Sequence, residues 1–120
     1  MSVTYPLFVL EKDDQSMRAI ESQDRILSWH EAIDIENDEY VFWDATGSGV
    51  QIKIAGNNVV SVISCSAAFP LGKALATYAQ SLHLSNNVIE GQPVEIWKRI
   101  QTELERRPKE RSWLSRIFSR

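Results

Sequence analysis

The sequence predicts an α+β domain: an antiparallel meander of four to five strands followed by two to three helices packed on one face. Three observations carry this. Between Ala32 and Ser66, apolar and polar residues repeatedly alternate with a period of two, interrupted by Asn- and Gly-rich turns; this is the mark of short strands with one face buried. After Ser66 the period lengthens: Leu71, Leu75, Tyr78, Ala79 and Leu82 share one face of a helix. Finally, the helical patterns follow the strand patterns instead of alternating with them, which favours segregated helices over a parallel α/β fold.

Taken in order, Tyr5–Leu10 is aromatic and β-branched enough for a strand, with Pro6 at its start or on an edge because proline cannot donate to a ladder. The polar run Glu11–Gln15 turns the chain, and Ser16–Ile20 forms a short second strand. Ser22 suits an N-cap with Asp24 in the first turn, so a short helix is expected over Ser22–Ser28. Ala32–Glu36 alternates, Ile33 and Ile35 inward and Asp34 and Glu36 outward, and reads as a strand ending in an Asn37-Asp38 turn. Tyr40–Asp44 is apolar on both faces, as a central strand covered on both sides would be. Gly47 and Gly49 mark a turn before Val50–Ile54, where Val50, Ile52 and Ile54 point inward and Gln51 and Lys53 outward. Ala55–Asn58 is a tight hairpin turn, and Val59–Ser66 is the last strand. Pro70 opens the first long helix, which Ser85-Asn86-Asn87 ends, and a loop runs through Val88–Gly91. Pro93 and Glu95 open the next helix, with Ile96, Trp97, Ile100 and Leu104 as its apolar stripe and Pro108 as its stop.

A length of 120 residues makes this a single domain over residues 1–120, with 106–120 as a basic amphipathic appendage. The composition, 43% apolar and 24% charged, is that of a globular chain. The net charge of −3 hides an asymmetry: Met1–Gln92 carries 5 Lys/Arg against 12 Asp/Glu (−7), and Pro93–Arg120 carries 8 against 4 (+4). The acidic body disfavours nucleic acid, whose phosphates it would repel. One cysteine, Cys65, cannot form a disulfide within the chain, which suits a reducing compartment. The N-terminal residues lack a basic n-region and a long apolar run, and no stretch is apolar enough to span a membrane. The expectation is a cytoplasmic protein.

No motif for catalysis emerges. His30 and His83 form no H-E-x-x-H, there is no C-x-x-C, and Gly47-x-Gly49 precedes a strand instead of the helix a phosphate-binding loop requires. No cofactor, metal or catalytic residue is implied, and the protein is expected not to be an enzyme. The strongest local bias is acidic. Asp34, Glu36, Asp38, Glu39 and Asp44 crowd one hairpin with Tyr40 and Trp43 among them. Carboxylates beside aromatic anchors suit a docking surface for a basic partner protein. This fits a small interaction or regulatory protein of the immunity or inhibitor type. A second surface is the tail, where Arg111, Trp113, Arg116 and Phe118 form a basic amphipathic segment suited to a membrane surface or an assembly partner. The plainer expectation is that this segment docks on its own domain. Four tryptophans would serve a core or a dimer interface equally well, so a homodimer is left open.

Overall fold

Four consecutive residues near the start of the chain, Leu7, Phe8, Val9 and Leu10, are all exposed by 7% or less. A strand alternates its side chains between two faces, so such a run is buried only where both faces are covered. The computed structural model, which describes residues 3–106 apart from the side chains of Trp29 and Asn86, shows how this is achieved. The expected basic tail surface, Arg111, Trp113, Arg116 and Phe118, lies outside the described residues.

The fold is α+β, built on a five-stranded antiparallel sheet in the order β2-β1-β3-β4-β5. Its strands are β1 (Leu7–Glu11), β2 (Met17–Ile20), β3 (Tyr40–Trp43), β4 (Gly49–Ala55) and β5 (Asn58–Cys65). The last three are neighbours in sequence order, as a meander requires. β1 departs from that order: it lies between β2 and β3, which makes it a central strand. Pro6 precedes it and removes no ladder bond.

Helices cover both faces of the sheet. On one face lie α3 (Leu71–Ser81) and α4 (Pro93–Arg106), the two helices expected after the strands. Leu71, Leu75, Ala79, Ile96 and Ile100 pack there on Phe8, Leu10, Met17 and Trp43. Trp97 meets Phe8 edge-on at 5.7 Å and stacks on Tyr78 at 6.0 Å. The expected loop at Val88–Gly91 contains a 3-10 turn, Asn86–Ile89, that buries Val88 beneath these helices. The opposite face is covered by two short helices, α1 (Ile26–Trp29) and α2 (Ala32–Glu36). Ile26 and Ile35 pack there against Leu7, Val9, Ile20, Phe42 and Val50. β3 is therefore covered on both sides, as its two apolar faces require: Phe42 turns to one layer and Trp43 to the other.

The helix α2 corrects an expectation. Ala32–Glu36 is a single helical turn, and Asp34 and Glu36 do not share a strand face. Five alternating residues fit one turn of helix as well as a strand. Only Ile35 is buried, while Ile33, expected in the core, is 61% exposed. The turn closes in a Schellman motif. Asp38 adopts a left-handed conformation at φ 59°, its N–H donates to the Ile35 carbonyl at 3.1 Å, and the Glu39 N–H donates to Asp34 O at 3.1 Å. α3 ends the same way, with His83 at φ 60°, its N–H on Gln80 O at 3.0 Å and the Leu84 N–H on Ala79 O at 3.1 Å.

β3 and β4 pair only at Phe42↔Val50 and Trp43↔Gly49. Beyond that the strands part, and Gln51–Ala55 pairs with β5 alone. Gly49 sits at the joint. A Cβ there would lie 2.7 Å from the Ser66 carbonyl oxygen and 2.8 Å from the Ala67 backbone, because the chain leaving β5 crosses directly over it. The β4–β5 turn uses Gly56 at φ 62°, with Ala55 paired to Asn58.

Candidate functional site

Acidic residues from three segments of the first seventy positions converge. The register Glu11↔Tyr40 brings the end of β1 beside the start of β3. The Schellman turn after α2 folds Glu39 back toward Asp34. The β1–β2 turn contributes Asp13, and Lys12, whose Nζ lies 3.0 Å from Asp38 Oδ2 while its backbone N–H donates to Glu39 O at 3.0 Å. Like charges crowd here. A hydrogen bond with the Asp34 side chain, partial desolvation, and then the charges of Asp34, Asp13 and Glu11 push the Glu39 carboxyl above its ordinary value. The Tyr40 phenol is raised as well, first by burial and then by Asp34, Glu11 and Glu39. The Lys12–Asp38 pair is exposed and contributes little to stability.

Beside this rim the parting of β3 and β4 leaves a cleft of about 480 Å³. Val41 and Phe42 line one wall and Val50, Gln51 and Ile52 the other, with Glu36 and Asp38 at one border and Cys65 and Ser66 at another. Of the residues expected to form a binding surface, Asp34, Glu36, Asp38, Glu39 and Tyr40 are thus gathered at one place.

Trp43 and Asp44 are not. Trp43 is fully buried, its indole N–H donating to the Phe69 carbonyl at 2.9 Å and its ring edge-on to Phe69 at 5.2 Å. It is a core residue that ties the approach to α3 onto the sheet. Asp44 is 3% exposed and organises the β3–β4 turn. Its Oδ1 accepts from the Thr46 hydroxyl at 2.6 Å, the Thr46 N–H at 2.9 Å and the Ser48 N–H at 3.2 Å. Its Oδ2 accepts from the Thr4 N–H at 3.1 Å. Burial pushes this carboxyl up, but the Thr46 hydroxyl and the amides of Thr4, Thr46 and Ser48 outweigh it and hold the carboxyl below its ordinary value. Asp44 is a turn and N-terminal clamp.

Sequence reasoning missed Glu11 and Asp13 as members of the rim. Both stood in a run that reads as a turn, and only the β1–β3 pairing brings them to Asp34. It also missed the role of His30, which is 5% exposed under the Tyr40 ring, edge-on at 4.6 Å, with Nδ1 donating to the Ile26 carbonyl at 3.2 Å. Burial, and then the Arg18 charge, lower its pKa, and the Ile26 bond works the other way. The rim thus rests on a histidine that fixes Tyr40 to α1.

Among the described residues, no group of three or more His, Cys, Asp or Glu side chains is arranged to hold a metal ion. No described helix is long and apolar enough to cross a membrane. Comparison with protein-family models, with curated proteins and with solved structures returns no match for this chain.

Proposed function

We propose that this chain is a small non-enzymatic protein-binding module of the inhibitor or regulatory kind. It engages a basic segment of another protein at the rim formed by Glu11, Asp13, Asp34 and Glu39 and bordered by Glu36, Asp38 and Tyr40. One observation carries the reading: three separate segments bring Glu11, Asp13, Asp34 and Glu39 close enough together to push Glu39 above its ordinary value, and Glu36, Asp38 and Tyr40 beside them line the cleft together with Lys12. Such crowding opposes the fold slightly and favours an incoming cation, which would meet a concentrated field. The half-exposed Tyr40 at the same border supplies an aromatic contact. The setting is taken to be cytoplasmic, where the exposed thiol of Cys65 stays reduced.

The test is affinity capture at low and moderate salt with the wild-type chain and the Asp34→Lys/Glu39→Lys double variant, both checked for folding by circular dichroism. A captured basic protein that is released by salt and lost with the double variant supports the reading. Capture of nothing, or of proteins that the double variant retains equally, overturns it.

A further inference from the structure

The sheet has two edges, and they are built differently. The β2 edge is short, carries Arg18 in the middle of Met17–Ile20, and lies beside Tyr78 of α3 and Trp97 and Gln101 of α4. These are the usual guards against another strand pairing there. The β5 edge is twice as long and lacks them. Asn58–Cys65 contains no charge, no proline and no glycine, and half of its residues are valine or isoleucine. It lies within Ile54–Gly72, the longest run of the chain without Asp, Glu, Lys or Arg, in a protein that is 24% charged. Among the described residues no strand pairs with its outer side. Of the three large apolar side chains that are strongly exposed among the described residues, two are on this strand, Val60 at 56% and Ile63 at 47%.

We propose that β5 pairs edge to edge and antiparallel with β5 of a second copy of this chain, joining two five-stranded sheets into one across a two-fold axis. The open row of N–H and C=O groups calls for an extended strand as its occupant. The absence of charge selects among strands. A charged segment would set its ions against Val60 and Ile63, whereas a second copy brings a neutral, β-branched edge and meets no repulsion at the seam. Antiparallel pairing of a strand with itself is also self-complementary, since each contact between two residues across the seam is repeated with the roles exchanged on the other side of the axis. The ladder indicates which residues pair. The irregularity of β5 falls at Val60, opposite the Lys53/Ile54 step, while Ser61–Cys65 is in regular register with Gly49–Lys53. A seam using all of Ser61–Cys65 centres on Ile63, which then faces Ile63 of the second copy directly.

This proposal is independent of the acidic rim, and its test reads different quantities. Sedimentation of the full chain under reducing conditions, over a range of concentrations, is expected to show a monomer–dimer equilibrium. Ile63→Lys sets two ammonium groups against each other at the axis and should weaken association at least about tenfold. Because Ile63 is on the surface of the single chain, circular dichroism should be unchanged, and so should Tm at concentrations where both proteins are monomeric. Ile63→Glu should behave alike, and mixing the Lys and Glu variants should restore the dimer. Spin labels on Cys65, the chain's one cysteine, report the geometry: four residues of strand and one strand spacing put the two Cα atoms about 14 Å apart. A monomer at every concentration overturns the proposal, including one in which the amides of Ser61–Cys65 are already protected from exchange by the chain's own tail. So does a dimer that neither charge variant weakens.

Discussion

The sheet is two structures joined at Gly49. In the first, β2-β1-β3, helices cover both faces, and the sequence shows it by abandoning alternation: Leu7–Leu10 and Tyr40–Trp43 are apolar throughout. In the second, the β4–β5 ribbon, alternation is kept. Ile52, Ile54, Val59 and Val62 turn toward the layer of α1 and α2, and Gln51, Lys53 and Ile63 stand bare on the other side. The long helices are the cause. α3 and α4 sit over Phe8, Leu10, Met17 and Trp43 and do not reach the ribbon. The contrast teaches that stability and availability are divided between the two halves. The first holds the core, and the second keeps the cleft and the open edge.

The sharpest test of this division compares truncations. Trp43→Ala removes a fully buried indole and its bond to Phe69, and should cost about 3–5 kcal/mol in chemical denaturation. Ile63→Ala on the ribbon should cost less than about 1 kcal/mol. Equal losses would show that the ribbon is as much core as β1 and β3. The joint comes next. Gly49→Ala drives a methyl group into the Ser66 and Ala67 backbone, which cannot swing aside as a side chain could. An expected loss of about 2–3 kcal/mol follows from forced overpacking. Amide exchange should quicken in β4 and β5 before it does in β1. The smallest effect concerns the layer of short helices. Burial holds His30 below its ordinary value of 6.5. The unfolded chain therefore takes up the proton first as pH falls. The contribution is complete above that ordinary value and is lost as pH drops through it toward the depressed folded value. Tm should fall between about pH 7.5 and 5.5, and His30→Phe should flatten that slope. A slope unchanged in the variant would assign it to another group.

Much of the strand and helix content is legible in the sequence, because period and turn chemistry are local. α3 and α4 follow from their apolar stripes, and β4 and β5 from alternation around Gly56-Asn57. Two things are not local. Ala32–Glu36 is too short for its period to decide between strand and helix. What decides it is the left-handed Asp38, a conformation that a non-glycine residue does not announce. The order of the strands is the other. Placing β1 between β2 and β3 needs pairing across 29 residues at Glu11↔Tyr40 and more at the other pairs, and that pairing decides the site. It brings Glu11 and Asp13 to Asp34 and Glu39. The same nonlocality explains Trp43 and Asp44, which look like surface anchors in the acidic hairpin. Trp43 is covered by helices that come later in the chain, and Asp44 is claimed by the amides of its own turn and of Thr4.

The central position of β1 has a consequence for biosynthesis. This strand is made before the other described elements and is enclosed last. β2 can pair with it almost at once, but its other edge waits for Tyr40–Trp43, and the covering of Phe8 and Leu10 waits for Leu75, Ile96 and Ile100. Until Tyr40–Trp43 is made this apolar segment has one neighbour, and until Ile100 is made the roof over Phe8 and Leu10 is incomplete. A truncation that halts synthesis before α4 would therefore expose not the end of the molecule but its middle.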